Sequence, residues 1–222
     1  MILSDSEIKK EMEAGNIVIE GFSDKQLNGA SYNIRLDNTL LVYETDYIDP
    51  VAGYIRTAFG VLDMKKKNPT RKVEITEKGY VLYPGRIYLG ATKERTFTGL
   101  NLVPIFDGRS SVGRLGLFVH VTAGYGDPGF DGRWTLEITP IQPIRIYPDV
   151  EIAQIYYQPL KGKCTKPYSG KYQRNKGAQE SMLYKDFERP ALPGQLPEIV
   201  LLEEEGENND SWETKCDIAA GR

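Results

Sequence analysis

Residues 107–138 read DGRSSVGRLGLFVHVTAGYGDPGFDGRWTLEI, and this stretch decides the fold. It holds an alternating apolar run at 115–122 and a second that continues from 133 to 139. Alternation of that length predicts two short strands. Between them, Gly124, Gly126, Pro128 and Gly129 predict a tight turn, because glycine and proline set backbone angles that other residues resist. Just upstream, Arg109, Ser110, Ser111 and Arg114 fall within six positions, beside Gly108 and Gly113. Cations and hydroxyls at that density suit an anion, most readily a phosphate. An ordinary solvated turn ahead of a strand has the same composition, so both readings stand here.

Working outward, further strands are expected at 16–19, 30–43, 101–106, 143–147 and 151–158, with short ones between 72 and 98. Strands this short and this regularly punctuated predict an all-β barrel or jelly roll. One helix is expected at the N-terminus: Ser4 and Glu7 have capping-box spacing, Ile8 and Met12 share a face, and Gly15 supplies a stop. Residues 44–70 are polar and irregular and read as an excursion. After 160 the periodicity stops. The stretch KGKCTKPYSGKYQRNKGAQES, 161–181, is either a mobile arm that closes over a ligand or a plain linker.

Charge is unevenly distributed. Residues 186–222 carry ten acids against Arg189, Lys215 and Arg222, while the whole chain is only −3, so residues 1–185 are net basic. A mildly basic body suits an anionic small molecule better than a nucleic-acid polymer, because no long basic stripe exists and Lys65–Lys67 is short. No apolar run reaches membrane-spanning length and no leader pattern is seen, which places the expected location in the cytoplasm. Cys164 and Cys216 lack metal-ligand spacing, and neither a Walker loop nor the HxE and PCxxC pairing of zinc deaminases occurs. The expectation is acid–base chemistry without zinc.

Two acids stand out. Asp127 sits in the glycine- and proline-rich turn, and Glu137 sits inside an apolar strand. Alternation puts Thr135, Glu137 and Thr139 on one face and Trp134, Leu136 and Ile138 on the other. Glu137 then faces either solvent or a pocket, and in a pocket it could shuttle protons. His120, the one histidine, is read as a structural strand residue.

Together, MILSDSEIKK, GASYNIRL, YPGRIYLGAT, the 32-residue block quoted first and PYSGKYQRNKGAQES resemble, in order, the dCTP deaminase family of the trimeric dUTPase-like superfamily. The resemblance covers residues 1–185, including a nucleotide-closing arm at 166–178, and leaves 186–222 as an acidic extension. It implies a dUTPase-like distorted β-barrel or jelly roll and a homotrimer with sites between subunits. It further implies Mg²⁺ accompanying a triphosphate.

By resemblance, Arg109, Ser110, Ser111 and Arg114 lie near phosphate and base, and Asp127 binds the deoxyribose 3′-hydroxyl. Thr135 and Leu136 read the pyrimidine edge through their backbone, and Tyr168, Lys171 and Asn175 belong to the arm. Glu137 is the implied general acid/base; the Ser110 hydroxyl and the Ala123 carbonyl help hold the water, and Arg114 orients the carboxylate and the water. The implied reaction is dCTP to dUTP and ammonia. The alternatives are a bifunctional enzyme continuing to dUMP, a dUTP diphosphatase, and a nucleotide-sensing module. The chain departs from the family pattern at Asn33, Gly126 and Asn175, where Asp, a bulky aliphatic and Gln are usual.

Overall fold

Helix α1, Asp5–Glu13, begins where Ser4 Oγ accepts from the Glu7 amide (3.4 Å) and stops at Gly15, whose φ of +75° suits glycine. Its Ile8 is fully buried, which docks the helix on the sheets. The computed structural model describes residues 1–44, 47–48, 55–56 and 61–188. Within these, the chain runs through β1 (Ile17–Ile19), β2 (Tyr32–Tyr43), β3 (Tyr47–Ile48), β4 (Ile55–Arg56), β5 (Thr70–Glu74), β6 (Tyr80–Leu82) and β7 (Tyr88–Thr92). It continues with β8 (Thr96–Thr98), β9 (Leu102–Gly108), the single helical turn α2 (Ser110–Gly113) and β10 (Leu117–Val119). The last strands are β11 (Asp131–Gly132), β12 (Thr135–Pro140), β13 (Ile144–Ile146) and β14 (Glu151–Pro159).

The main sheet has the order β10-β12-β7-β2-β14-β9, with β5 added to the end of β2. All of its pairings are antiparallel. Its two edges, β9 and β10, come near one another, so the sheet curls into a nearly closed barrel. A smaller antiparallel sheet has the order β1-β8-β11. Alternate residues Tyr32, Ile34, Leu36 and Leu40 on β2, Leu136 and Ile138 on β12, and Ile155 and Tyr157 on β14 fill the interior. Each large apolar side chain so enclosed contributes about 1.5–3 kcal/mol. Glu94, whose side chain is wholly buried, accepts from the Arg35 amide (2.9 Å) and from Arg35 Nε (2.7 Å). That pair braces β2 beside its register shift between Leu36 and Leu40.

The strand expected at 115–122 is shorter than its alternation suggests. α2 and the turn after it occupy the chain as far as Gly116, and regular pairing ends at Val119 because His120 adopts φ +55°. Of the polar excursion at 44–70, the parts 45–46, 49–54 and 57–60 fall outside the described residues. So does the acidic extension beyond Glu188, including the expected docking of Ile199–Leu202.

Candidate active site

Strand β12 aims Thr135 and Glu137 away from the core that encloses Leu136 and Ile138. They open into a cavity of about 420 Å³. Its floor is aromatic: Trp134 and Phe130 line it with ring centroids 4.4 Å apart, and Phe106 backs the Trp134 ring at 4.6 Å. Trp134 also explains Gly126. A Cβ at Gly126 would sit 2.3 Å from Trp134 Cη2, so the indole fills the space that any side chain there would need. The turn that carries Gly126 presents Ala123 and Asp127 to the same cavity. It is tied to the barrel where the Phe106 amide donates to the Gly124 carbonyl (2.7 Å).

The segment 167–181 forms the roof. The Tyr168 amide donates to the Pro128 carbonyl (2.8 Å), and the Tyr168 ring meets Phe130 edge-on. Gln173 works in both directions: its Nε2 donates to the Gly129 carbonyl (2.8 Å) while its Oε1 accepts from the Asp131 amide (2.9 Å). Next, Asn175 Nδ2 donates to Thr135 Oγ1 (3.1 Å), and the Arg133 amide donates to the Asn175 carbonyl (2.8 Å). Gly132 permits this approach, since a Cβ there would lie 2.8 Å from the Asn175 amide nitrogen. Farther on, the Ser181 amide donates to the Tyr43 hydroxyl and the Met182 amide to the Tyr172 hydroxyl. Burial pushes the Tyr43 and Tyr168 hydroxyls above the usual phenol range, so both remain protonated.

Six residues singled out from the sequence therefore meet in one cavity: Ala123, Asp127, Thr135, Glu137, Tyr168 and Asn175. Four others do not. Arg109, Ser110 and Ser111 line a second hollow of about 550 Å³, where Arg109 pairs with Glu151 (3.1 Å). Arg114 caps α2 and lines neither space. Leu136 turns its side chain into the core. Lys171 is held by the Asp186 carboxylate and is absent from the cavity wall. Asn33 borders the second hollow and donates from Nδ2 to Glu151 Oε2 (2.9 Å), a contact where an Asp would repel.

His120 corrects the sequence reading. It is buried, but it lines the cavity, with Nδ1 3.0 Å from Glu137 Oε2. Tyr43 and Tyr172 also line it and had no local signal, since a tyrosine in a strand or loop looks alike in any role. Among the described residues, no group of three His, Cys, Asp or Glu side chains could hold a metal ion, and no helix is long and apolar enough to cross a membrane.

The description of the dCTP deaminase-like family matches residues 2–160. This chain belongs to that family. It is 56% identical over 188 residues to a dUMP-forming dCTP deaminase of Hathewaya histolytica, covering 85% of this chain and all of that one. A protein of the same description from Clostridium beijerinckii is 53% identical over 189 residues, again covering 85% of this chain and all of that one. The crystal structure of 2′-deoxycytidine 5′-triphosphate deaminase from Agrobacterium tumefaciens superposes with a TM-score of 0.51 at 19% identity, over 70% of this chain. The superposition spans about half of that longer protein (47%), and it shows that the dCTP deaminase fold is shared.

Proposed function

We propose that this member of the dCTP deaminase family converts dCTP to dUMP, ammonia and diphosphate, consuming two waters. The observation that carries the reading is the Glu137 carboxylate, set in a cavity with an aromatic floor and a closed roof. In the first step, water attacks C4 of cytosine as Glu137 takes its proton. Glu137 then returns protons to N3 and to the departing amine, and ammonia leaves as the C4 carbonyl forms. Such a step relies on positioning and on excluding bulk water, which the arm and the aromatic floor supply. In the second, water attacks the α-phosphorus and the α–β bridging oxygen leaves with diphosphate. The relatives described as dUMP-forming favour this two-step outcome over an enzyme that stops at dUTP.

Asp127 lies on the same wall and is suited to accept from a ribose hydroxyl. Mg²⁺ accompanies the triphosphate, held by phosphate oxygens and water as that ion prefers. Incubating the full chain with dCTP and Mg²⁺ and separating the products checks the reaction. Equal yields of dUMP and ammonia are expected. Accumulating dUTP favours the shorter reaction, and unchanged dCTP refutes both.

The cations support a shared site. Arg109, Ser110 and Ser111 lie in a different hollow from Glu137, and the 119–121 segment separates the two: Val119 and Val121 border one, His120 the other. A homotrimer that presses one subunit's 109–114 turn against another's cavity brings them together. Co-expressing Arg114→Ala with Glu137→Gln then restores about a quarter of normal activity, because random assembly in a closed ring pairs two intact halves at one interface in four. Failure to recover activity in a mixed oligomer refutes sharing, as does full activity from a monomer.

A further inference from the structure

We propose that His120 is a positioning residue: its Nδ1–H holds Glu137 Oε2, leaving Oε1 to meet the attacking water. The inference rests on Glu137 serving as the acid/base of the proposed deamination. Regular alternation after β10 would place His120 on the side of Phe118, which is exposed. Instead His120 takes φ +55° and turns its imidazole inward, where only 6% of it remains accessible. A left-handed conformation at a residue other than glycine costs free energy and persists where the surroundings require it.

Those surroundings are specific. The imidazole stands edge-on to Phe106 (5.9 Å) and to Trp134 (6.3 Å), centroid to centroid, so the aromatic floor limits its orientation. The His120 amide donates to the Glu137 carbonyl (2.9 Å), which fixes the two backbones together. Nδ1 then lies 3.0 Å from Glu137 Oε2, yet the approach does not meet hydrogen-bond geometry. Among the described residues, neither imidazole nitrogen nor Glu137 Oε2 has a hydrogen-bond partner. Buried polar atoms left this way are uncommon and call for a role. Here a donor and an acceptor without partners face each other at bonding distance. The last torsions of both side chains are soft, so a small rotation makes the bond.

A carboxylate that must take a proton from water needs one oxygen held and the other free. His120 is the donor placed to hold it. A histidine that merely fills space would be replaceable by any side chain of similar bulk.

Two substitutions separate these roles. His120→Leu keeps an apolar side chain and loses the donor. His120→Asn tolerates the left-handed backbone and places an N–H where Nδ1 stood. Ammonia release from dCTP, normalised to the folded fraction from thermal melting, is expected to show kcat about 30-fold lower in His120→Leu with KM within about threefold, the range of one hydrogen bond to a charged group. His120→Asn is expected to recover to within about tenfold of normal by restoring that bond. In a Glu137→Gln background, His120→Leu should cost nothing further. A His120→Leu protein with unchanged kcat refutes the assignment, as does an Asn variant no better than Leu. An unsubstituted protein that releases no ammonia refutes the proposed deamination itself, a result distinct from an active enzyme indifferent to His120.

Discussion

Glu137→Gln is expected to bind dCTP within a few-fold of normal and to release ammonia roughly a thousandfold more slowly, the usual scale for losing a general acid/base. The amide matches the carboxylate in size and keeps a carbonyl oxygen for His120 to approach. What it cannot do is accept the proton of the attacking water or return one to the amine. The fold gives no reason for a wider effect. Glu137 is part-exposed, and its backbone stays paired with Leu89 on β7 and with the His120 amide. Calorimetric titration with dCTP and an ammonia assay on the same preparation separate binding from chemistry. Near-normal turnover removes Glu137 from its role. Loss of binding together with turnover moves it from acid/base to substrate contact.

Ending the chain before Tyr168 is expected to reduce deamination at least about a hundredfold, whereas ending it after Glu188 leaves activity within a few-fold, because only the first cut opens the site to water. The arm is joined to the barrel by bonds that run both ways across the cavity: Tyr168 to Pro128, Gln173 to Gly129 and Asp131, Asn175 to Thr135, and Ser181 to Tyr43. Removing it uncovers Phe130 and Trp134 and floods the space beside Glu137. The barrel itself loses no strand, so the shortened protein should still melt cooperatively. Assaying the two truncations side by side decides the matter. If the cut after Glu188 is as damaging as the cut before Tyr168, the division of labour between arm and extension is wrong.

Much of the fold was legible in the sequence because it rests on local rules. The Ser4 cap and the Gly15 stop bound α1 where their chemistry predicts. The alternation of 133–139 placed Leu136 and Ile138 inside and Glu137 on the other face. The extent of the strand around 115–122 was not legible, since its alternation continues through a residue whose backbone turns left-handed. The candidate site was legible in part. Ala123, Asp127, Thr135 and Glu137 are close in sequence and close in space. Tyr168 and Asn175 arrive from the far end of the chain, and their motif resemblance, not periodicity, marked them.

The sequence by itself determined most of the strands, the turn that presents Asp127, the face that carries Glu137 and the family to which these belong. Those features depend on backbone preference and on alternation over a few residues, which neighbours in the chain decide. Only the tertiary structure decided that Arg109, Ser110 and Ser111 occupy a different hollow from Glu137. The chain between Ser111 and Glu137 can run to either side of a strand, and nothing local chooses. Only the tertiary structure decided, too, that Trp134 takes the space that Gly126 vacates and that His120 faces the Glu137 carboxylate. Both depend on which side chains share a volume once the sheet has curled, and packing of that kind is a property of the closed barrel.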